Sequence, residues 1–319
     1  MRPFMPIKTE VSMSWTALSA TLNCHTLNTT ATDIENNTAN GLLYPLASFS
    51  ALEVSGPDRF SFLQGQITCD TRRLEKGESL IGAHLNLKGR IEASFIAIPT
   101  GETLQLVLPN GQAGYLLKLL QKYALFSQVQ LQENQASYPF LHWTEQSPHT
   151  SFNNPHIPAI NLGIAAREQV TRIFANQNIG SENDALAILA RNGLVLVEQT
   201  QRDRYLPQEL NYDAIDGISF NKGCYKGQEV VARIHFKGKV KKRLAAFTTQ
   251  QAVPDNAVFY NDKQQKCAEL ITCYQTSKNP DISFGNVLLK PPETEPKPLH
   301  LEQNDGLKLT LVSLPYAIN

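Results

Sequence analysis

Apolar residues along this chain recur at two different spacings, and the changes of spacing mark out its elements. Ser50–Ser55 reads as a strand and is broken by Gly56-Pro57-Asp58. Phe60, Leu63 and Ile67 then fall on one helical face, with Pro57 near its start. His84–Ile98 reads as a hairpin turning at Leu87-Lys88-Gly89. Asn110 is placed to cap a helix whose apolar face carries Leu116, Leu119, Leu120 and Tyr123, and Val129 and Leu131 follow in a strand. Pro148, Pro155 and Pro158 punctuate an irregular link. Val170, Ile173 and Phe174 resume helical spacing. Ser181-x-x-Asp184 opens another helix, which Gly193 is placed to end. After about Lys241 short β-like runs (Leu244–Thr249, Val258–Tyr260, Leu307–Val312) predict a small barrel or sandwich. The fold class is therefore α+β.

Residues 1–40 show no such periodicity. Thr26–Asn40, rich in Thr and Asn, predicts a mobile arm or long loop. The expected organisation is a flexible arm over 1–40, an α+β region over 41–240 with a break near 145–160, and a β-barrel over 241–319. A length of 319 residues suits two or three packed units.

Composition narrows the class rather than the function. Lys+Arg and Asp+Glu are both 29, so net charge selects no partner. No apolar run reaches the roughly 20 residues of a membrane helix, and no continuous apolar stretch follows Arg2 and Lys8. Neither a membrane span nor a secretory leader is expected. The five cysteines are scattered and none forms a CxxC pair. A reducing cytoplasm fits better than a disulfide framework, and no self-contained metal site is expected.

One segment carries chemistry. Cys224 sits between Gly223 and Gly227, with Lys222 and Lys226 on either side. The glycines predict a tight loop. Nearby ammonium groups would favour the thiolate, the nucleophilic and metal-binding form. Gln228, Glu229 and Arg233 add polar groups, and in a helix Glu229 and Arg233 would be i, i+4 partners. On residue chemistry alone, Cys224 is either a packing residue in a glycine loop or a reactive thiol.

Lys222-Gly223-Cys224-Tyr225-x-Gly227-Gln228-Glu229, followed by Ala232-Arg233, resembles the signature of the folate-binding YgfZ family. That family lies within the superfamily of the glycine-cleavage T-protein, an aminomethyltransferase. The resemblance extends to Phe62-Leu63-Gln64-Gly65-Gln66-x-Thr68-x-Asp70, Lys88-Gly89-Arg90, Lys122-Tyr123-x-Leu125-Phe126-Ser127, Pro207-Gln208-x-x-Asn211, Gly217-Ile218-Ser219-Phe220 and Leu314-Pro315-Tyr316. It covers about Phe49 to the C-terminus.

The resemblance implies a ring of subdomains around a central hole, closed by a small C-terminal β-barrel. It implies tetrahydrofolate or a derivative near that hole. It also implies a role in iron–sulfur cluster assembly or repair, with indirect effects on tRNA modification and with iron–sulfur proteins or their assembly machinery as partners. Cys224 would be the functional thiol. Folate contacts are expected from Phe49, where some relatives place a tryptophan, and from Asn86, Arg191 and Asn211; Arg191 would suit a glutamate tail.

The sequence departs from the T-protein pattern where that family places an acidic pair after its Lys-Gly turn. The corresponding residues are Ala93 and Ser94, which supply no carboxylate, and Glu92 would face the other side of a strand. Aminomethyl transfer is thereby disfavoured, though a folate-dependent one-carbon transferase stays as an alternative. A second alternative is an RNA-binding modification factor. Lys237, Lys239, Lys241, Lys242 and Arg243 form a basic run that suits an RNA backbone, a folate polyglutamate tail, or a solvated strand edge. Phe236 and Phe247 are its nearest aromatics. His235 is either a surface histidine or a second ligand for a transient metal or cluster.

Overall fold

The computed structural model describes residues 25–27, 29–38, 40–144, 147, 152–175, 177–261, 265–290, 299–301 and 304–318. Within these, three β-structures share one central core. A five-stranded antiparallel sheet runs in the spatial order Leu80–Leu85, Ile91–Thr100, Thr103–Pro109, Phe49–Ser55, Gln130–Asn134. A six-stranded sheet runs His25–Thr26, Asn178–Ile179, Leu43–Pro45, Ser137–Trp143, Ile160–Ala166, Phe152–Asn153, with its first two pairings parallel. Six strands between Arg243 and Val312 close into a barrel. The α+β class and the C-terminal barrel are thus as the sequence predicts.

The helix Glu182–Arg191 joins the three. Ser181 accepts from the Asp184 amide to start it, and Gly193 at φ +68 ends it. Its Ala185, Ala187, Ile188 and Leu189 are buried in a core shared with Ile81, Ile96 and Val107 of one sheet, Leu141 and Trp143 of the other, and Leu244, Phe284 and Leu288 of the barrel. At about 1.5–3 kcal/mol for each large side chain fully buried, this shared core couples the three units. A separate core behind the five-stranded sheet contains Phe62, Leu63, Leu74, Leu116 and Leu120.

Two local expectations are corrected. The described residues of Thr26–Asn40 include regular elements: His25–Thr26 pairs with Asn178–Ile179, and Ala31–Glu35 is helical, capped by Thr30 accepting from the Asp33 amide. Ala31 and Ile34 fix this helix in the central core. Five residues are too few for a periodicity signal to emerge. Residues 1–24 of the expected arm lie outside the described residues. Asn110 does not cap its helix; its side-chain Nδ2 donates to the Ala47 carbonyl, and the helix Ala113–Gln121 begins after Gln112. That helix buries Ala113, Leu116 and Leu120, while Tyr123 lies beyond its end and is exposed. Among the described residues, no helix is long and apolar enough to cross a membrane.

Candidate functional site

The Cys224 loop is built by contacts that converge on it from distant parts of the chain. Thr68 Oγ1 donates to Gly217 O and accepts from the Ala83 amide, and Ser219 N donates to Thr68 O. Lys226 N donates to Gly65 O. Gly227, at φ +79, packs against the turn Asn86-Leu87-Lys88-Gly89-Arg90, whose Asn86 Oδ1 accepts from the Lys88 and Arg90 amides. The segments Phe62–Asp70, Lys88–Arg90 and Gly217–Phe220 therefore meet around Lys222–Glu229. Lys122–Ser127 does not join a core there: Leu125 and Phe126 are exposed.

Both lysines that flank the thiol turn inward. Lys222 is buried, and its Nζ donates to the Ile67 and Cys69 carbonyls at 2.7 and 2.8 Å. Burial lowers its pKa to about 8, a shift that nearby Cys69 and Asp70 oppose. Lys226 Nζ lies 2.9 Å from Glu92 Oε2. The expectation that these ammonium groups serve the thiol is corrected: they anchor the loop. Cys224 and Gly223 are left exposed at its tip. Tyr225 points inward and is buried, with its hydroxyl unpartnered among the described residues.

Beneath the loop, Glu92 holds two groups. His84 is fully buried, and its Nδ1 lies 3.0 Å from the same Glu92 oxygen that meets Lys226. The approach is short, but neither ring nitrogen makes an aligned hydrogen bond among the described residues. Burial pushes the Glu92 carboxyl up, but His84 and Lys226 outweigh it and hold the pKa down at about 2. Burial holds His84 below its ordinary value. The placement of Glu92 follows from a β-bulge. Its strand pairs His84 with Ala93 but Leu85 with Ile91, so Glu92 is the extra residue and the alternation resets there. Ile91 consequently joins the central core while Ala93 joins the other. Ser94 is buried and accepts from the Val197 amide.

After Gly227 the chain is helical over Gln228–Lys237. Gln228 Oε1 accepts from the Tyr225 amide, and Val231 is the helix's fully buried side chain. Gln208 Nε2 donates to Val231 O and ties the helix to the central core. Glu229 and Arg233 are both exposed, and no ion pair joins them among the described residues. No group of three or more His, Cys, Asp or Glu suited to a metal ion occurs among the described residues.

A separate cavity of about 270 Å³ opens between the five-stranded sheet, the helix Glu182–Arg191 and the barrel. Phe49, Leu186, Leu189 and Leu196 give it apolar walls, and Glu198 and Tyr274 stand at its polar side. Burial pushes the Tyr274 hydroxyl well above its ordinary range, and the Glu198 charge adds to this. A second cavity of about 640 Å³ shares Glu198, Thr200, Thr272 and Tyr274 with the first.

Of the four expected folate residues, Phe49 lines this cavity. Asn86 instead shapes its turn and donates to Asp203 Oδ1 at 2.6 Å. Arg191 donates to Glu35 O and Ser313 O. Asn211 is buried at φ 60 and donates to Leu244 O of the barrel. These three are used on contacts within the fold, and none lines either cavity. Glu198, which the sequence reading passed over, ends the apolar run Leu194-Val195-Leu196-Val197.

The chain is similar to proteins named tRNA-modifying protein YgfZ. The one from Colwellia psychrerythraea is 30% identical over 262 residues, 73% of this chain and 81% of the relative. The chain belongs to the YgfZ family. A YgfZ relative from Vibrio atlanticus is 26% identical over 309 residues, 86% of this chain and 92% of its own. No family model matches. Among solved structures, the aminomethyltransferase T of the Bartonella henselae glycine cleavage system superposes with a TM-score of 0.67 at 15% identity, over 89% of this chain and 88% of that one. The YgfZ chain thus shares its fold with the glycine-cleavage T-protein.

Proposed function

We propose that this protein is a folate-binding accessory factor that supports tRNA modification through iron–sulfur cluster assembly or repair. Cys224 would be its reactive or ligating thiol, with a cluster or cluster intermediate as the cargo. The observation that carries this reading is the loop itself. Lys222, Lys226 and Gly227 bind it to three other segments, and the only thiol so presented among the described residues is exposed at its tip. That much anchoring of an exposed cysteine suits a residue that must meet a partner at a fixed position. The cytoplasm, where free thiols persist, is the proposed compartment.

The Phe49 cavity fits a reduced folate. Its apolar walls suit a flat pterin ring, and the Glu198 carboxylate can accept from the ring N–H and amino groups. The adjoining cavity gives room for the rest of the molecule. Bound there, tetrahydrofolate supplies a carrier of one-carbon units. Ala93 and Ser94 supply no carboxylate, and Glu92 is committed to Lys226 and His84. The site therefore lacks the acidic pair of the T-protein pattern, and aminomethyl transfer is not the proposed reaction.

The test is thermal unfolding with and without tetrahydrofolate. A rise in midpoint that grows with ligand concentration is expected. No shift at millimolar ligand would remove folate from the assignment.

A further inference from the structure

The helix that follows the Cys224 loop ends in an aromatic cluster. Phe220, just before the loop, stacks on His235 in the last turn of Gln228–Lys237, with centroids 3.7 Å apart and planes 12° apart. Phe236 meets both edge-on, at 6.1 Å from Phe220 and 4.7 Å from His235. Phe220 is half-buried and leans on the central core, whereas His235 is exposed and Phe236 is 68% exposed. An exposed phenylalanine beside a rigid two-ring stack is costly to hydrate and offers flat apolar faces.

Positive charge adjoins these rings. Lys242 pairs with Glu269 and Arg243 with Asp213. Lys237, Lys239 and Lys241 are exposed and take part in none of the ion pairs among the described residues. A groove of about 580 Å³ lies alongside, lined by Ile234, His235, Lys239, Val240 and Ile318 among others. A helix C-terminus alone repels phosphate, so the lysines must come from beyond it, and they do. Phe247, the other aromatic near the basic run in sequence, is buried in the barrel core and takes no part.

Flat rings, a groove and unpaired lysines in sequence are the elements that hold single-stranded nucleic acid: bases stack, and the backbone follows the charge. We propose that this face binds a single-stranded RNA segment, with a base stacked on His235 and Phe236 and the phosphates along Lys237, Lys239 and Lys241. Because Phe220 and His235 bracket the Cys224 loop, the RNA would lie on the element that carries the thiol. In naming RNA the inference rests on the role in tRNA modification proposed above; the binding itself requires neither folate nor a cluster.

The experiment is fluorescence anisotropy of the full chain with a labelled twelve-nucleotide oligouridylate. Binding is expected, with a log affinity against log salt slope of about −2 if three lysines neutralise phosphates. The double substitution His235→Ala/Phe236→Ala should weaken binding at least tenfold at an unchanged unfolding midpoint. Changing Lys237, Lys239 and Lys241 to alanine should flatten the salt slope. Phe126→Ala, an exposed phenylalanine elsewhere, should stay within twofold of wild type. Absence of binding, or a double variant within twofold of wild type, overturns the proposal. So does displacement of the RNA by polyglutamate at equal charge, which would mark a site for acidic polypeptide. Tetrahydrofolate protection, measured on the same double variant, should be retained. RNA failure with protection intact sinks this inference alone, and loss of protection in the wild type sinks the folate assignment alone.

Discussion

Gly227 and Gly89 meet backbone to backbone. A Cβ on Gly227 would fall 3.3 Å from Gly89 Cα and 2.5 Å from the Asn86 carbonyl oxygen. This close approach sets the Cys224 loop on the turn at Lys88-Gly89-Arg90 and starts the helix that follows.

Gly227→Ala should therefore destabilise the protein on two grounds. The left-handed φ of +79 costs an L-residue about 1–2 kcal/mol. The overlap with Asn86 O adds about 1–3 kcal/mol of overpacking. Urea unfolding should show a lower midpoint with an unchanged slope. A midpoint equal to wild type would mean that the loop is not held by this contact.

Glu92 makes a pH-dependent contribution whose sign is fixed. Its carboxyl binds a proton more weakly folded, at about 2, than at its ordinary 4.5. The stability it supplies is complete above about pH 4.5 and is lost as pH falls toward 2. His84, whose pKa is lowered by burial, also resists protonation when folded, so acid begins to destabilise the fold below its ordinary 6.5. Glu92→Gln should lose about 1–3 kcal/mol at neutral pH and should show a shallower fall in stability between pH 4.5 and 2. Parallel acid-unfolding curves for the two proteins would contradict the holding of Glu92 by Lys226 and His84.

The folate assignment turns on Glu198. Glu198→Gln removes the charged acceptor at the cavity while keeping its size. A hydrogen bond to a charged group is worth about 1.5–3 kcal/mol. Tetrahydrofolate affinity should fall by roughly 10- to 150-fold, read as lost thermal protection, with the ligand-free midpoint unchanged. Protection equal to wild type would place folate elsewhere.

Much of the fold was legible in residue spacing. Gly227 marked the loop because its positive φ and close packing leave few alternatives to glycine. Ser181-x-x-Asp184 and Gly193 bounded the central helix because caps are local in sequence. The site was less legible, because it depends on contacts between distant segments. Alternation placed Glu92 away from the loop, and a single bulge reset it. Lys222 and Lys226 looked like groups that would favour the thiolate until their acceptors, Cys69 O and Glu92, were brought to them by folding. Arg191 and Asn211 resembled ligand contacts but are used on backbone carbonyls. Glu198 had one usable signal, a carboxylate closing an apolar run. The ring stack of Phe220 and His235 had none, since the loop and most of a helix separate them.

The role of the Cys224 thiol is tested by complementing a strain that lacks its YgfZ-family protein with Cys224→Ala. The exposed thiol makes no packing contact that the fold needs, so the variant should unfold at the wild-type midpoint and keep its tetrahydrofolate protection. It should fail to restore the activity of iron–sulfur-dependent tRNA modification. Full restoration by this folded, folate-protected variant would contradict the role assigned to Cys224.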